Sequence, residues 1–390
     1  MTPIPVFRAE RNVLLLACVL FFGSHRPVRA EGTASYKYED YRESGGRVAV
    51  QTQGVLLEDT LGSDFKVRLG GVIDAIAGAT PNGRPAPAGT DDVVLVTLHE
   101  RRKAWNADFS RQFPRVNVAL GVANSRESDY VSTGWSLNTL TDFNRKNTTL
   151  LAGFAFANDD IKAFYASPSP TVGKRTRDFI AGVTQLLDPR TVVSFNLTFG
   201  QANGFLNDQY KLVQKRVEVI PGIFLSRTFP ENRPDRRDKW IARVAFNRAY
   251  PALRGAVEGS YRFYRDTFGT NAHTLDLSWL QRVGSRLIVQ PQVRWYRQSA
   301  ADFYYYDLDR TPLVPVFGGP RPAGPFFSSD YRLSNLTSWT TGLKAAWQFN
   351  DHLEINAALT GYRMRGNDGI TPQSAYARAT IATGGLKFTW

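Results

Sequence analysis

Cysteine and histidine, the residues most often used for metal binding and nucleophilic catalysis, are nearly missing from this sequence. Its 390 residues include one Cys and four His. The single cysteine, Cys18, lies in an N-terminal stretch that we expect to be removed, which excludes disulfides, thiol chemistry and Cys-ligated metals from the mature chain. The signature motifs of zinc proteases, serine hydrolases, phosphate-binding loops and haem attachment are also missing.

This shortage makes an enzyme the most remote function that we consider. Three histidines follow the N-terminal stretch, namely His99, His273 and His352. Only His99, in a long predicted loop with Asp91 and Asp92, has acidic residues nearby that could help it act as a base. We therefore predict no catalytic residues, no metal site and no cofactor.

Long apolar runs are missing once the N-terminus is set aside. Residues 1–30 begin with the basic Arg8 and Arg11, continue with a short apolar run from Val13 to Gly23, and end in the small-residue pattern VRA. We interpret them as a secretory signal peptide, with an N-terminal membrane anchor as the alternative, and 31–390 as a single domain. No later stretch reaches the roughly 18 apolar residues of a transmembrane helix.

Basic residues outnumber acidic ones. The chain has 48 Lys and Arg against 35 Asp and Glu, and the signal peptide holds four Arg and one Glu, so the mature chain has 44 against 34, a net charge of +10. No basic run clusters as it would on a nucleic-acid-binding surface, so we predict no nucleic-acid partner.

The sequence instead shows period-two alternation of apolar residues with small polar ones, as in TVVSFNLTFG (191–200) and RVNVALGVAN (115–124). Tight turns rich in Gly, Pro, Asn and Asp alternate with longer links. The pattern predicts sixteen strands: 34–42, 47–59, 64–77, 101–112, 115–125, 129–142, 147–158, 174–187, 190–202, 236–248, 253–266, 272–282, 286–298, 330–349, 352–366 and 375–390.

Strands of this length and number, with all tight turns at one end, predict an all-β protein, a transmembrane antiparallel up-and-down β-barrel of about 16 strands. The turns would be periplasmic and the long loops extracellular. Aromatic residues support this prediction because they fall at two levels, as girdles do. The level near the tight turns comprises Phe65, Phe113, Phe143, Trp279, Trp347, Phe349, Phe388 and Trp390, and the level near the long loops comprises Trp105, Trp135, Phe156, Trp240, Phe263, Trp295 and Tyr376.

The sequence ends in GGLKFTW, in which Leu386, Phe388 and Trp390 share one face. This ending resembles the C-terminal signal that the barrel-insertion machinery reads in bacterial outer-membrane proteins, so we expect strand 375–390 to pair with the first strand near Tyr36 to Tyr41. The stretches YKYEDYRESGGRVAVQTQGVLLEDTLGSDFKVRLGGVIDAIAGATPNG and SRESDYVSTGWSLNTLTDFNRKNTTL resemble an uncharacterised family of bacterial outer-membrane barrels. That resemblance implies an outer-membrane location and hints at a periplasmic redox partner.

Charged residues concentrate on the inward parity of four successive strands. They are Lys239, Arg243, Arg254, Glu258, Arg262, Asp276, Arg286 and Arg294. Rings of Arg and Lys favour anions in pores, which is one interpretation. The other, which the nearby acidic residues favour, is a salt-bridge network that braces or plugs the wall.

Arginines also recur on the outward parity near the long loops: Arg265, Arg297, Arg363 and Arg378. Because Arg facing lipid at the bilayer midplane is costly, we expect these four at the headgroup level of the outer leaflet, where they would bind lipopolysaccharide phosphates or simply snorkel to the interface.

Two further features stand out. Pro291, in mid-strand, predicts a bulge or kink. The long loop from Ala301 to Asp330, with Phe303 to Tyr306, could enter the lumen, dock a partner or remain exposed.

The function that these features favour is a porin-like passive channel for small solutes with a mildly basic lumen. The alternative is a non-conducting scaffold or conduit housing for a periplasmic partner, which could be a redox protein. An outer-membrane enzyme is the remote third possibility.

Overall fold

The computed structural model describes residues 32–87, 89–164, 168–309, 311–315 and 324–390. The predicted signal peptide, residues 1–30, lies outside the described residues. Within these ranges, no helix is both long enough and apolar enough to cross a membrane.

Strands make up most of the described chain. In order they are β1 (Thr33–Glu43), β2 (Ala49–Leu61), β3 (Phe65–Pro81), β4 (Leu95–Gln112), β5 (Val116–Arg126), β6 (Tyr130–Phe143), β7 (Thr148–Lys162), β8 (Thr171–Asp188), β9 (Thr191–Gly204), β10 (Leu212–Ile220), β11 (Ile223–Pro230), β12 (Arg236–Tyr250), β13 (Gly255–Asp266), β14 (Asn271–Val283), β15 (Leu287–Gln298), β16 (Leu336–Gln348), β17 (Leu353–Gly366) and β18 (Arg378–Thr389). Single 3₁₀ turns occur at Ser44–Gly46, Asn144–Lys146, Pro251–Leu253, Tyr331–Leu333 and Gln373–Ala375.

Sixteen of these strands form one closed antiparallel barrel, which confirms the predicted fold and strand number. Each strand pairs with its neighbours in the chain, except that β9 pairs with β12 because β10 and β11 form a separate two-stranded hairpin between them. The barrel closes between β1 and β18. Closure gives each of the sixteen strands a hydrogen-bonded neighbour on both sides, as a hydrocarbon environment requires.

The closing seam joins the two strands that the sequence predicts to pair. Tyr36 lies opposite Leu386 and Tyr41 opposite Ile381, and the pairing continues past the strands through two hydrogen bonds, from the Gly32 amide to the Trp390 carbonyl and from the Trp390 amide to the Gly32 carbonyl. The Trp390 indole covers Gly32 so closely that a Cβ there would overlap the ring. The last three residues are therefore part of the ladder that closes the barrel.

All seven predicted tight turns are present, at one end of the barrel, which we call the tight-turn end. Their shape depends on residues that tolerate left-handed dihedrals, such as Gly62 at φ 67°, Gly284 at φ 62° and Asn144 at φ 47°. The longer links lie at the opposite end, the long-loop end, because consecutive links of an antiparallel meander alternate between ends.

Several strands extend further than predicted toward the long-loop end. β3 continues to Pro81 and β4 begins at Leu95, because the two strands remain paired beyond the aromatic level that lies near the long loops. His99 consequently lies in β4 opposite Ala77, and the prediction of a loop at this position was wrong. Conversely, β16 and β18 begin later than predicted because 3₁₀ turns precede them.

Pro291 interrupts the ladder without adding a residue. It lies opposite Leu343 of β16, while toward β14 the pairing is missing between Ser278, opposite Gln292, and Gln281, opposite Val289. The register is the same on both sides of this gap, so the predicted bulge is absent. A proline has no N–H to donate, and the ladder responds by opening locally.

The outer wall is apolar and exposed. Trp105, Trp135, Trp339 and Leu359 have between 47% and 61% of their surface exposed. Tyr376 is the exception among the predicted girdle residues: it is 3% exposed, because it packs against Tyr331 and Leu336 beneath the loops and bonds to the Ser334 hydroxyl at 2.7 Å. Its assignment to the upper girdle was wrong.

Candidate functional site

The inner wall of the barrel presents small and polar side chains. On β5 the inward positions are Asn117, Ala119, Gly121, Ala123 and Ser125, and β9 continues the pattern with Ser194, Asn196, Thr198 and Gly200. The Asn196 amide lies against Gly182 on the neighbouring strand, in space that a Cβ would fill. Side chains on this part of the wall thus lie along it and leave the lumen polar and uncrowded.

Gly200 allows an ion pair to form across three strands. Lys239 on β12 and Asp178 on β8 both lie beside Gly200 of β9, and their Nζ and Oδ1 atoms are 3.0 Å apart. A Cβ at this position would overlap both side chains. The glycine is therefore required by the close approach of the two charged groups.

Some residues of the predicted lumen cluster have ion-pair or hydrogen-bond partners on the wall, and others lack a carboxylate partner among the described residues. Arg294 pairs with Asp276 at 2.5 Å, and the Ser260 hydroxyl donates to the same carboxylate at 3.2 Å. Glu258 accepts a hydrogen bond from Ser278 at 3.2 Å. These residues, together with Lys239, form part of a polar network along the wall.

Arg243 and Arg262 are different, because they lie directly opposite each other on β12 and β13 and neither has a carboxylate partner among the described residues. Arg262 donates only to the Thr274 hydroxyl, at 3.2 Å. Like charges on directly opposed positions repel. The pair creates a positive site on the lumen wall that an anion would neutralise.

Two members of the predicted cluster lie away from the others, at the tight-turn end. Arg254 follows the turn Pro251–Leu253 at φ 51° and donates to the Gly284 carbonyl. Arg286 lies in the turn between β14 and β15. Both arginines therefore place positive charge at the tight-turn opening of the barrel. They do not form part of a ring of cations halfway along the lumen.

The long loops pack together at the other opening into a structure that we call the loop cap, formed by the described parts of 82–94, 205–235, 267–270, 299–335 and 367–377. Its apolar centres include Phe268, Phe303 and Leu333 in one cluster and Val213, Leu308 and Phe327 in another. Backbone bridges join Asn232 to Phe327 and Tyr304 to Ser328. Two loops that are distant in sequence thereby form one packed unit.

The loop cap connects opposite parts of the rim. The Leu212 amide, after β9, donates to the Asn82 carbonyl, after β3, at 2.7 Å. In the ring, β9 and β3 are separated by β8, β7, β6, β5 and β4. The loop between β15 and β16 reaches the same place from the other side, since the Ala86 amide donates to the Tyr306 hydroxyl at 2.8 Å. These contacts run across the opening rather than along its rim.

A buried ionic network holds the two main loops of the cap together. Arg233 contacts Glu231 at 2.7 Å and Asp330 at 2.9 Å, and Arg332 contacts Asp330 at 2.6 Å and also Asp208. The Ser328 hydroxyl donates to Glu231 at 2.6 Å. Glu231 and Asp330 are almost fully buried, so the arginines are needed to compensate for their charges.

The two carboxyl groups respond to burial in opposite ways. Burial, together with the charges of Asp330 and Asp208, raises the pKa of Glu231 to about 7 despite the neighbouring Arg233. Burial would also raise the pKa of Asp330, but Arg332 and Arg233 outweigh it and hold that pKa well below its usual range. Asp330 is thus the permanent anion of the network and Glu231 the group that titrates near neutrality.

The aromatic run of the long loop makes contacts within the chain. Phe303 packs edge-on against Phe268 with ring centroids 4.9 Å apart, and the Tyr304 hydroxyl bonds to Thr371 at 2.5 Å. Tyr305 packs on the cluster around Phe327. These side chains anchor the loop in the cap, an arrangement that sequence periodicity could not reveal.

The four predicted outward arginines lie on the outer face of the barrel at its long-loop end. Arg363 and Arg378 are directly opposite each other, whereas Arg265 lies beside Trp240 and Arg297 beside His273. Cross-strand register places further cations on the same face, which the sequence analysis missed although period two identifies them. With the first four they form what we call the cationic belt: Arg42, Arg101, Lys103, Arg126, Lys162, Arg175, Arg177, Arg236 and Arg365.

A closed sixteen-strand barrel with an exposed apolar wall and a polar lumen has the architecture of bacterial outer-membrane barrel proteins. The chain belongs to the family described as "Protein of unknown function (DUF3570)", whose model matches residues 22–378. This match confirms the resemblance read from the sequence. A search of the curated proteins finds no match.

Solved structures similar to the chain are outer-membrane proteins. A "Bacterial polysaccharide outer membrane secretin" is 9% identical with a TM-score of 0.47, covering 93% of this chain and 98% of that one. OmpT, an outer-membrane protein of Vibrio cholerae, is 7% identical with a TM-score of 0.45, covering 93% and 97%. A "CymD monoaromatic hydrocarbon channel" is 8% identical with a TM-score of 0.41, covering 93% and 88%. Similarity at this level carries no argument about what the chain binds or transports.

Proposed function

We propose that the protein is a porin-like channel of the bacterial outer membrane, exported by a cleaved signal peptide and admitting small solutes with a preference for anions. Its tight-turn end would face the periplasm and its loop cap the exterior. The inner wall supports a water-filled path because its side chains are small and polar. The proposed activity is passive passage and involves no catalysis.

The observation that carries this proposal is the pair Arg243 and Arg262. Two guanidinium groups face the lumen from directly opposed positions, and no described carboxylate neutralises either. Such a site attracts anions and repels cations, because cationic rings and clusters select anions in pores. The neighbouring Asp276 and Arg294 neutralise each other and leave this preference unchanged.

Reversal potentials of the refolded protein in a planar bilayer, measured across a salt gradient, test the proposal. We expect the unmodified protein to favour anions, and the double variant R243Q/R262Q to lose most of this preference. The matched control is R265Q/R297Q, which removes the same charge from the outer wall and should leave the reversal potential unchanged. An unchanged potential in R243Q/R262Q would refute the assigned role of the pair.

The loop cap favours a second candidate, a non-conducting barrel that houses or contacts a periplasmic partner. Loops that join opposite parts of the rim narrow the opening, and a completely closed cap would stop solutes. The β10–β11 hairpin offers a clean test, because Leu212 and Pro230 are cross-strand neighbours at its base and a short turn can replace what lies between them. A full chain without current, together with a shortened variant that conducts, would indicate a closed cap on an otherwise open barrel.

A further inference from the structure

The outer wall carries a groove between β16, β17, β18 and β1, immediately below the loop cap. Its volume is about 700 Å³ and its rim includes Trp339, Arg363, Arg378 and Arg42. The floor is low because Gly361 lies between Thr341 and Thr380 in the cross-strand register. The groove is therefore a depression in the wall with three guanidinium groups around it.

The carboxylates at this groove already have cationic partners, and Glu43, which also lines it, contacts Arg47 at 3.0 Å. The Arg42 guanidinium forms a bidentate contact with the Asp40 carboxylate, in which Nε donates to Oδ1 at 2.9 Å and Nη2 donates to Oδ2 at 2.8 Å. Arg363 and Arg378 are directly opposite each other, both exposed, and no described carboxylate pairs with either. Opposed cations on neighbouring strands, about 5 Å apart, repel unless an anion lies between them. A tetrahedral phosphate accepts hydrogen bonds from two guanidinium forks at such a spacing.

An apolar track runs from the groove toward the middle of the barrel. Leu343 and Leu359 are directly opposite each other, four residues along their strands from Trp339 and Arg363 and beyond the pair Thr341 and Gly361, and they are 53% and 61% exposed. A ligand that fits both parts has an anionic head and a hydrocarbon tail. This argues for a membrane lipid rather than a free anion, because a soluble phosphate would make no use of the track.

The opposite end of the barrel lacks this arrangement. Among the described strand residues there, the outward cations are Arg111, stacked over Phe65 and Phe113, and Arg248, near Asp188. The cationic belt and the groove thus occur only at the long-loop level. A leaflet with anionic headgroups would match this level of the outer wall.

We propose that the groove is a binding site for a phosphorylated glycolipid of the outer leaflet, with one phosphate held between Arg363 and Arg378 and an acyl chain along Leu343 and Leu359. Trp339 packs beside the sugar at the interface. The site is independent of whether the lumen conducts. Arg265 and Arg297 belong to the cationic belt but lie outside this groove.

Native mass spectrometry of the detergent-solubilised, refolded protein tests the site. The probe is lipid A with two phosphates, compared with its fully dephosphorylated form. We expect the phosphorylated form to bind about tenfold or more tightly, and R363Q/R378Q to lose this preference, since each lost charge-assisted bond is worth about that factor. The control R265Q/R297Q should retain affinity within about twofold.

Three outcomes would overturn the proposal. The first is equal binding of both lipids, and the second is an equal loss in R265Q/R297Q, which would indicate diffuse attraction to the belt. The third is inorganic phosphate competing at the same concentration as the lipid, which would indicate a soluble-anion site. Should R363Q/R378Q not fold, Trp339 quenching, taken as the difference between the unmodified protein and W339F, is compared for brominated lipid A and its brominated, dephosphorylated form. Stronger quenching by the phosphorylated lipid supports the site, and equal quenching refutes it.

Discussion

The same sixteen strands are joined by short turns at one end of the barrel and by long, packed loops at the other. At the tight-turn end each hairpin closes within a few residues, and the side chains around the opening are exposed aromatics and solvated charges. At the long-loop end the links contain a second sheet, buried aromatic clusters and the ionic network of Glu231, Arg233, Asp330 and Arg332.

The structures of the two ends therefore depend on different kinds of contact. The tight-turn end is determined locally, because turn residues and period-two pairing suffice to form each hairpin. The loop cap is determined by contacts between segments more than a hundred residues apart, such as the Ala86 amide with Tyr306. Substitution of a single side chain should therefore have little effect at the tight-turn end. In the loop cap such a substitution should loosen the whole cap.

The largest expected effect is at the seam, where β1 and β18 pair although they are more than three hundred residues apart. Deleting Phe388 to Trp390 removes the ladder next to Gly32 and the face predicted to be read during insertion, so we expect the barrel not to assemble. Heat-resistant migration in detergent, after expression in a Gram-negative host, measures this. W390F is the control and should assemble, and a truncated chain that inserts and resists heat would contradict the account of this seam.

The next largest effect is on the loop cap. Replacing Arg233 by Ala leaves Glu231 and Asp330 buried with one partner fewer, which should cost about 3 to 5 kcal/mol, as the loss of one partner of a buried ion pair does. The barrel itself should persist. Hydrogen exchange of residues 324–335 should speed up while the strands remain protected.

The control for this substitution is Arg294→Ala, which removes a 2.5 Å ion pair with Asp276 whose side chains are 59% and 34% exposed. Exposed pairs are worth about 0 to 1 kcal/mol, so exchange in the loop cap should not change. Similar exchange in the two variants would show that the network does not hold the cap.

A smaller effect is expected from pH. Because the pKa of Glu231 is raised to about 7 in the folded cap, the cap binds a proton that the opened loop releases between about pH 4.5 and 7. Stability from this group is present at low pH and is lost as pH rises through 7. Exchange of 324–335, corrected for its intrinsic rate, should be faster at pH 8 than at pH 5.5, and E231Q should abolish the difference. Slower corrected exchange of 324–335 at pH 8 than at pH 5.5 would contradict this assignment.

The smallest effect belongs to the tight-turn end. Arg111 lies over the rings of Phe65 and Phe113 at 5.0 and 4.9 Å, an exposed cation–π arrangement worth about 0.5 to 1 kcal/mol. Arg111→Gln should lower the urea midpoint of the refolded protein only slightly and leave exchange in the loop cap unchanged. A loss as large as that of Arg233→Ala would remove the distinction between the two ends.

Most of the barrel could be predicted from sequence because its information is local. Alternation assigns each residue to one face, and GSD, NRKN or VGSR marks each turn. The β10–β11 hairpin was missed although VEVIPGIFL contains two alternating runs around Pro-Gly, because its strands of 9 and 8 residues lie within the long link predicted between strands 190–202 and 236–248.

The candidate sites were only partly predictable. Parity identified Arg243 and Arg262 as inward and Arg363 and Arg378 as outward, but not that the members of each pair are directly opposed, since this depends on register. The partnership of Glu231 with Arg233 and Ser328 has no sequence signal, because loops that cross an opening have no period. Tyr376 was misplaced for the same reason.

Single-channel recording of the full chain beside the variant with a shortened β10–β11 hairpin tests whether a polar channel lies beneath the loop cap. We expect stepwise, anion-favouring current that increases when the hairpin is shortened. No current from either protein, both folded by heat-resistant migration, would contradict it.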